Sequence, residues 1–331
     1  MQEEASAAFG HGRARVHLVG SRLYGAALPG SDVDLLVELS EGCRGELSTA
    51  AEQHLLPQDG ARLLTNRAVM RLRRHLEDES AMARWRTLDV AMDARKPILR
   101  LEYMPAPASQ LDASPLPVEV SFDQSLAALR KSALLASCAS LDARPLALAR
   151  LVRLWAERRG LVGQREGYLS GFAWCVMAIF YCQCRLMLAG LKSRSRDAHS
   201  AFASVALVKR PVLAPALERG ADALALVPGF FRFYAHEFSW HEEVVAVRLG
   251  HRALRRRASS GQVGPAGPAT LSIEDPVELE VDLAAPYLSL SRDARLRAEF
   301  RRANRLLHCC GSDSSYGWTA VFRRRATSAG S

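Results

Sequence analysis

Several features that would assign this chain of 331 residues to a well-marked class are absent. No apolar run approaches the roughly 20 residues that a helix needs to cross a bilayer. The longest run, around residues 172–180, contains Trp and Cys, so the sequence predicts no membrane span. No internal repeat is visible. Residues 1–8 carry two glutamates and lack the apolar core of a secretory signal, and they are too acidic to predict a mitochondrial presequence with any clarity.

Paired cysteines are also absent. The seven cysteines are odd in number and lie mostly in apolar, helix-like sequence, which is typical of a reducing compartment and not of a disulfide framework. Their spacing does not match a paired zinc site. We therefore expect buried or incidental thiols. These residues are Cys43, Cys138, Cys175, Cys182, Cys184, Cys309 and Cys310.

Lysine is nearly absent, yet the chain is basic. Only four of its 44 basic residues are lysines, and 35 acidic residues leave a net charge of +9. Excess positive charge favours a polyanionic partner, of which nucleic acid is the commonest. An arginine-rich proteome would give the same bias, so charge alone does not establish RNA binding. At 49% hydrophobic and 24% charged residues, the chain can bury a core, and its length suggests one large or two ordinary domains.

The most informative segment lies between residues 19 and 36. Gly20 and Ser21 are followed, after ten residues, by Asp32 and Asp34 among apolar neighbours. In a strand the two aspartates point to one side, about 7 Å apart, and they repel each other unless a cation lies between them. Mg²⁺ prefers such carboxylate oxygens together with phosphates, and a Gly-Ser backbone lets a phosphate approach. The alternative, a surface strand with two solvated aspartates, does not explain the Gly-Ser pair.

The pattern of apolar residues predicts an α+β protein. Residues 12–124 are expected to form a mixed sheet with helices on one side, residues 125–310 a mostly helical domain, and residues 311–331 a mobile tail. Predicted strands are 15–19, 32–37, 88–92, 97–103 and 118–122. Predicted helices are 46–76 with a break at 57–60, 126–137, 145–159, 169–189, 221–234 and 291–307, with 259–270 as a linker or loop.

The Gly-Ser and Asp-apolar-Asp pattern resembles the nucleotidyltransferase superfamily that includes DNA polymerase beta. Later segments resemble its noncanonical poly(A) polymerase and terminal uridylyltransferase branch, in an ordered succession that covers about residues 15–308. Among relatives, the chain looks most like the compact trypanosomatid uridylyltransferases associated with a minor mitochondrial editosome-like complex. The segments that carry this resemblance are 93–100, 118–122, 151–159, 167–172, 230–234 and 271–276.

The resemblance implies a polymerase-beta-like catalytic domain followed by a nucleotide-recognition domain, with a cleft between them. It also implies two Mg²⁺ or Mn²⁺ ions, UTP, a single-stranded RNA 3′ end and an RNA-processing complex as a partner. A mitochondrial location follows from the same resemblance, with the cytoplasm as the alternative. Relatives usually have a helix before the Gly-Ser strand. Here that support is either missing or replaced by the helix from Ser291.

The third catalytic acid is the first departure from the family. The family has Asp in an Asp-apolar-Ser-Phe strand, and the matching residue here is Glu119. A carboxylate on a neighbouring strand can share a metal with Asp32 and Asp34 and accept a proton from an attacking hydroxyl. The Glu side chain is one methylene longer than Asp, which changes the geometry of a metal site. Asp123 is the alternative third acid, and in that case Glu119 is only an exposed strand residue.

The residues that match the family's triphosphate-binding positions also differ from the family pattern. Where the family carries two lysines four residues apart on one helix face, this chain has Arg153 and Glu157. An arginine clamps phosphates, whereas a carboxylate repels them unless it is turned away. Arg158 or Lys131 is the candidate to bind the phosphates in place of the missing second lysine.

The remaining nucleotide contacts follow from matched family positions. Lys131 and Ser132 match the family's Asn-Ser, which predicts a ribose contact for Ser132. Gly171 and Phe172 match its Ser-Tyr, and Phe172 would stack on the base. A carboxylate in the later aromatic segment suits the N3–H of uracil, and Glu237 is the best match, with Glu242 and Glu243 behind it. The predicted nucleotide-binding set is Gly20, Ser21, Lys131, Ser132, Arg153, Gly171, Phe172 and Glu237.

The sequence thus predicts template-independent transfer of UMP from UTP to an RNA 3′-hydroxyl, with release of pyrophosphate. Transfer from ATP, as in a poly(A) polymerase, is the second hypothesis. A weakly active or inactive RNA-binding assembly subunit is the third, raised by the changes at Glu119, Glu157 and Phe172. The intact pair Asp32 and Asp34 argues against it. Small-molecule nucleotidyl transfer is disfavoured by the helical second half.

Overall fold

The computed structural model divides the chain into two compact units. One contains Met1–Leu23 and Pro29–Ala133, and the other contains Tyr24–Leu28 and Leu134–Ser331. Each unit is described by itself. The structure describes residues 1–48, 57–92, 97–105, 114–123, 125–164, 166–186, 190–193, 205–208, 222–255, 270–309 and 314–325.

A five-stranded mixed sheet forms the first unit, which confirms the predicted α+β class. Its strands run in the order β1-β2-β5-β4-β3, with β2 and β5 parallel and the other neighbours antiparallel. Each predicted strand is present, although its ends differ by one to three residues. The strands are β1 (Ala14–Val19), β2 (Val33–Leu39), β3 (Trp85–Ala91), β4 (Ile98–Tyr103) and β5 (Leu116–Phe122).

Five helices accompany this sheet. Pro57 opens the longest of them, where its fixed backbone angle and missing N–H are tolerated, so the predicted break at 57–60 is the first turn of a helix. The sequence analysis did not predict the first helix, whose eight residues precede the Gly-Ser strand. The helices are α1 (Gln2–Phe9), α2 (Gly20–Leu23), α3 (Glu41–Leu47), α4 (Pro57–Leu76) and α5 (Glu79–Met82).

The core of the first unit lies on one face of the sheet. Leu99, Leu101 and Val120 are fully buried there and belong to one cluster with Phe9 of α1 and Leu72 of α4. Burying a side chain of this kind contributes about 1.5–3 kcal/mol. Because strand side chains alternate, the residues between these apolar positions point to the other face. The polar positions of β2, β4 and β5 are therefore kept together, away from this core.

The second unit is mainly helical, as predicted. Its boundary with the first falls within α6, after Ala133. The helices are α6 (Ala127–Leu141), α7 (Arg144–Arg158), α8 (Gly171–Leu186), α9 (Asp222–Arg232) and α10 (Leu290–Cys309), and a π-helical turn (Phe233–Glu237) follows α9. Two short hairpins are formed by β6 (Gly190–Ser193) with β7 (Val205–Val208) and by β8 (Glu243–Val244) with β9 (Ala253–Leu254).

A further helix corrects the predicted mobile tail. Residues Ser314–Val321 form α11, and Ala320 and Val321 are buried. Val321 joins the main apolar cluster of this unit, which explains why the segment is held in place.

Aromatic side chains form the centre of the second unit. Trp155 of α7 is fully buried and contacts Phe231, Phe300 and Trp174 at ring-centroid distances of 4.8, 5.3 and 5.8 Å. Aromatic pairs in such edge-on and tilted arrangements stabilise a core by about 0.5–1.5 kcal/mol each beyond their burial. This cluster joins α7, α8, α9 and α10 into one body.

The cysteines with described side chains are free. Cys43, Cys138, Cys175 and Cys182 are buried and Cys184 is partly buried. Burial raises the pKa of the Cys138 thiol to about 12, so it stays protonated and unreactive at neutral pH. Among the helices that the structure describes, none is long and apolar enough to cross a membrane.

Candidate active site

The turn at Gly20 follows β1 directly and is shaped for glycine in two ways. Its φ of +73° is left-handed, a region that a residue with a side chain rarely adopts. In addition, a Cβ placed on Gly20 would overlap the carboxylate of Asp34, which lies directly against the glycine backbone. The structure therefore brings together two of the residues that the sequence singled out, Gly20 and Asp34.

The three predicted acids occupy the face of the sheet opposite the core. Asp34 is paired in register with Glu119 on the neighbouring parallel strand, so their side chains emerge side by side. Asp32 immediately precedes β2, two residues from Asp34. Asp34 and Glu119 are partly buried, and Asp32 is exposed. Strand register thus places Glu119 where a third acid is required.

An arginine that the sequence analysis did not consider lies beside these acids. Arg100 of β4 is paired in register with Glu119, and its Nε donates to Glu119 Oε1 at 2.9 Å. Its Nη1 lies 3.2 Å from Asp89 Oδ2 on β3. The hydrogen bond that Arg100 donates to Glu119 raises the pKa of Arg100. Arg100 therefore fixes one oxygen of Glu119, while no residue in the described part of the chain donates to Oε2.

The charges at this site act on one another. Burial and repulsion from Glu119 raise the pKa of Asp32 above its ordinary value, and Arg100 and Arg22 act in the opposite direction. Arg22 also holds the loop that leads into β2, since its Nε and Nη2 donate to the carbonyls of Asp32 and Ser31 at 3.2 and 2.6 Å. Asp32 therefore sits on a fixed backbone and beside like charge.

The donor chemistry of these acids fits a hard divalent ion. Carboxylate oxygens are the ligands that Mg²⁺ and Mn²⁺ prefer, and repelling carboxylates gain when a cation is shared between them. Within the ranges described, no three His, Cys, Asp or Glu side chains converge closely enough to hold a metal ion. Asp32 and Asp34 are the residues that would hold one, together with the free Oε2 of Glu119.

Ser132 has a different role from the predicted ribose contact. Its hydroxyl accepts a hydrogen bond from the Gly20 backbone N–H at 2.9 Å and donates to the Ala128 carbonyl at 2.8 Å. The side chain is only 3% exposed. Ser132 thus holds the left-handed turn in place, and its contact with a ribose stays a prediction. Ser21 is also buried, and Lys131 of α6 is partly exposed.

In the second unit the structure brings Arg153 and Gly171 together. Arg153 is 9% exposed, and its guanidinium atoms lie 3.1–3.2 Å from where a Cβ on Gly171 would stand. Its Nη1 donates to the Ala26 carbonyl, while its Nε is buried and has no hydrogen-bond partner among the residues that the structure describes. A side chain at position 171 would displace this arginine, so Gly171 is needed for close packing.

The other residues of this unit that are predicted to contact phosphate or base differ in their exposure and in what they contact. Glu157 and Arg158 are exposed at the end of α7, and Arg158 Nη1 donates to the Phe322 carbonyl at 3.3 Å. Phe172 is partly buried and packs against the aromatic core. Phe172 therefore retains an accessible portion of its ring, whereas Arg158 serves the C-terminal segment.

Glu237 is already paired within the protein. Its carboxylate forms an ion pair with Arg185 and lies 3.5 Å from the Nε of Arg232. The backbone carbonyl of Glu237 accepts a hydrogen bond from Arg252 at 2.6 Å. A carboxylate that is occupied by arginines is a weaker acceptor for a uracil N3–H. The structure therefore gives Glu237 a packing role that the sequence did not indicate.

Neither neighbouring acid replaces it. Glu243 is 6% exposed and forms a bidentate pair with Arg252 at 2.6 and 2.7 Å, and it also accepts from the Ser239 N–H at 2.6 Å. Burial acts to raise the pKa of Glu243, but the bonds from Arg252 and Ser239 hold it below its ordinary value. Glu242 is exposed and accepts from the Ser239 hydroxyl at 3.2 Å. Glu243 is structural.

Asp123, the alternative third acid, lies elsewhere. It follows the end of β5, four residues beyond Glu119 and about 13 Å along a strand. Its Oδ1 accepts hydrogen bonds from the backbone and hydroxyl of Ser125 at 3.0 and 2.6 Å, which starts the turn toward α6. The geometry favours Glu119.

One of the two arginines that organise the site had a signal in the sequence. Arg100 stands between Leu99 and Leu101, which are core residues, so strand alternation alone places it on the face of Asp34. Arg22 had no such signal, because its partners are backbone carbonyls across a loop.

Two family models match this chain. The nucleotidyltransferase domain matches residues 2–83, which include the Gly-Ser turn and the pair Asp32 and Asp34. The model described as Cid1 family poly(A) polymerase matches residues 225–280, in the helical unit.

Curated relatives match over parts of the chain. The terminal uridylyltransferase cid1 of Schizosaccharomyces pombe is 28% identical over 208 residues, which are 57% of this chain and 50% of that protein. The poly(A) RNA polymerase gld-2 of Caenorhabditis elegans is 26% identical over 173 residues, which are 49% of this chain and 15% of that protein. The chain thus spans half or less of the length of these relatives.

Solved structures of Cid1 share the fold. A crystal structure of the Cid1 poly(U) polymerase bound to MgGTP superposes with a TM-score of 0.66 at 21% identity, covering 98% of this chain and 90% of that one. The structure of Cid1 in complex with its short product ApU gives a TM-score of 0.66 at 20% identity, covering 98% and 89%. The chain is thus similar to the nucleotidyltransferase domain in its first part and to the Cid1 family poly(A) polymerase model in its helical part, and it shares the fold of the solved Cid1 structures.

Proposed function

We propose that this chain is an RNA terminal nucleotidyltransferase that adds nucleotides to an RNA 3′ end without a template. The observation that carries the proposal is the pairing of Asp34 with Glu119 in register, beside Asp32 and against the left-handed Gly20. Similarity to terminal uridylyltransferases and poly(A) polymerases supports the same reaction class.

The residues of the sheet unit have separate roles in this reaction. Gly20 gives a triphosphate access to the backbone, and Asp32 and Asp34 would hold the divalent cation that accompanies the triphosphate. Glu119 accepts the proton of the RNA 3′-hydroxyl, whose oxygen attacks the α-phosphorus in line as pyrophosphate leaves. A divalent cation held by Asp32 and Asp34 would neutralise the triphosphate and polarise the attacking hydroxyl.

We assign UTP as the preferred nucleotide and ATP as the second candidate. The 28% identity to a terminal uridylyltransferase supports UTP. One observation favours ATP: the carboxylate of Glu237, expected to accept from uracil, is paired with Arg185. The compact segment between Asp34 and Glu119 supports kinship with trypanosomatid enzymes and a mitochondrial location. Imaging a tagged full chain tests that location, and a purely cytoplasmic signal would contradict it.

Primer extension tests the proposed function. A labelled single-stranded RNA is incubated with each ribonucleoside triphosphate separately, in Mg²⁺ or Mn²⁺, with the wild type, Asp34→Asn and the control Asp59→Asn, an exposed acid of α4. We expect extension with UTP that is lost in Asp34→Asn, by about 10³-fold, and kept in Asp59→Asn. Extension with ATP alone would assign a poly(A) polymerase. No extension despite RNA binding would leave the assembly-subunit hypothesis.

A further inference from the structure

The C-terminal half of α10 carries arginines that face away from the core. Arg301 and Arg305 are exposed and lie one helical turn apart. Within the described ranges, neither has a carboxylate within ion-pair distance. Like charges at this spacing destabilise a helix by about 0.2–0.5 kcal/mol, so their placement is unfavourable in the isolated protein.

The segment that follows α11 adds three more arginines to the same region. Arg302 of α10 donates to the Ala320 carbonyl at 2.8 Å, and Arg159 of α7 donates to the Arg323 carbonyl at 3.1 Å. The N–H of Arg325 donates to the Arg158 carbonyl at 3.0 Å. These bonds fix the backbone of residues 320–325 against α7 and α10, while the side chains of Arg323, Arg324 and Arg325 stay exposed.

We call this surface the basic face and define it by its arginines. Little acid balances it. Glu299 is buried and bidentate with Arg159, at 2.9 and 2.7 Å, and it lies 3.8 Å from Nη1 of Arg302, so one carboxylate is shared between two arginines. Burial lowers the pKa of Arg302, and repulsion from Arg159, Arg323 and Arg305 adds to it, which shows that these cations crowd one another. The basic face consists of Arg158, Arg301, Arg302, Arg305, Arg323, Arg324 and Arg325.

Arginine also decides what kind of anion suits this surface. A planar guanidinium matches a phosphate through two parallel hydrogen bonds, and several fixed arginines suit a chain of phosphates better than a single ion. We propose that the basic face binds the sugar-phosphate backbone of RNA and holds the body of the strand, an inference that rests on the proposed function for its choice of RNA. Recognition there depends on charge and is independent of base sequence.

RNA affinity as a function of salt tests the basic face without requiring catalysis. The variant Arg301→Ala/Arg305→Ala/Arg324→Ala is compared with Arg15→Ala/Arg62→Ala/Arg74→Ala, which removes three exposed arginines from the sheet unit. Fluorescence anisotropy gives the Kd of a labelled 20-nucleotide RNA between 50 and 300 mM KCl. Each phosphate contact to a single strand contributes a slope of about 0.7 in log Kd against log salt. We expect the slope to fall by about 2 and the Kd at 100 mM to rise by about 10-fold or more, while the control changes the Kd by less than about 2-fold.

A charge-preserving variant and a short primer complete the test. Arg301→Lys/Arg305→Lys/Arg324→Lys should keep most of the affinity and the slope, which separates loss of charge from misfolding. Extension of a dinucleotide primer should be unchanged in the alanine variant, because a dinucleotide has a single phosphodiester and gains little from contacts to a chain of phosphates. If the wild type binds RNA with the expected slope but extends no primer, the proposed function fails and the basic face stands. Equal weakening by both triple variants, or preference for anionic vesicles over RNA, would overturn the inference.

Discussion

The sheet unit and the helical unit differ in what their charged side chains contact. In the sheet unit, Asp34 and Glu119 lie on a face that the core does not use, and one oxygen of Glu119 is free. In the helical unit, Arg153, Glu237 and Glu243 are bound to other parts of the protein. The comparison indicates that the acids of the sheet unit are placed to bind a ligand. The charged residues of the helical unit instead stabilise that unit's own structure.

The physical reason lies in how each element presents side chains. A strand offers alternate residues to opposite faces, so the apolar side chains form the core on one side and the acids lie on the other. Helices that meet around an aromatic core bury polar groups near their contacts, and a buried charge must be paired. Breaking the two arrangements should therefore have different consequences, which the following variants measure.

The largest effect is expected at Gly20. Replacing it with Ala strains a left-handed backbone and pushes the Asp34 carboxylate aside. A displacement of about 1 Å at a reacting group lowers the rate by about 100-fold. The control is Gly30→Ala, since Gly30 has a φ of +80° but open space where a Cβ would stand. Urea unfolding should show a similar loss of stability in both variants, about 1 kcal/mol. The RNA extension rate should fall only in Gly20→Ala. Equal activity losses would contradict the role of Gly20.

The next effect is on stability in the helical unit. Arg252→Met leaves the Glu243 carboxylate buried without its partner, which should lower the free energy of unfolding by about 2 kcal/mol at pH 7. Because the folded pKa of Glu243 lies below its unfolded value, this contribution is present above about pH 4.3 and disappears as pH falls through the folded pKa. Urea unfolding at pH 7 and pH 3.5 measures the change. The control Arg73→Met, which breaks an exposed pair with Glu77, should alter stability by about 0.5 kcal/mol or less.

A smaller effect is expected at Arg100. Arg100→Ala frees both oxygens of Glu119 to move, and we expect the extension rate to fall by about 10-fold with little change in KM for the nucleotide. Arg86→Ala, which removes an ion pair with Glu102 between β3 and β4, is the control. Mn²⁺ binding, followed by its EPR signal, should also weaken in Arg100→Ala and not in Arg86→Ala. An unchanged signal and rate would mean that Arg100 only stabilises the sheet.

The smallest effect should come from Glu237→Gln. If the Glu237 carboxylate only pairs with Arg185, the ratio of UTP to ATP use should change by less than about 3-fold. A change of that size corresponds to the energy of a partly exposed ion pair. A loss of UTP preference by 10-fold or more would restore Glu237 as a base-reading residue. Phe172→Ala, tested in parallel, should raise KM for every nucleotide alike, since stacking is tolerant of base identity.

The parts of the molecule that follow from local pattern were predictable. The five strands, the acids Asp32 and Asp34 and the position of Glu119 depend on alternation and register, which the sequence carries directly. The role of Ser132 was not predictable, because it depends on Gly20, 112 residues away. Likewise α1 was missed because its few apolar residues bury against α4, and that partner is distant in the sequence.

The measurement that tests the central claim most directly compares the two candidate third acids. Extension rates of one labelled RNA are measured for the wild type, Glu119→Gln, Glu119→Asp and Asp123→Asn under single-turnover conditions. We predict that Glu119→Gln loses at least about 100-fold, that Glu119→Asp retains measurable activity, and that Asp123→Asn remains close to the wild type. Full activity in Glu119→Gln with loss in Asp123→Asn would contradict the site built by Asp32, Asp34 and Glu119.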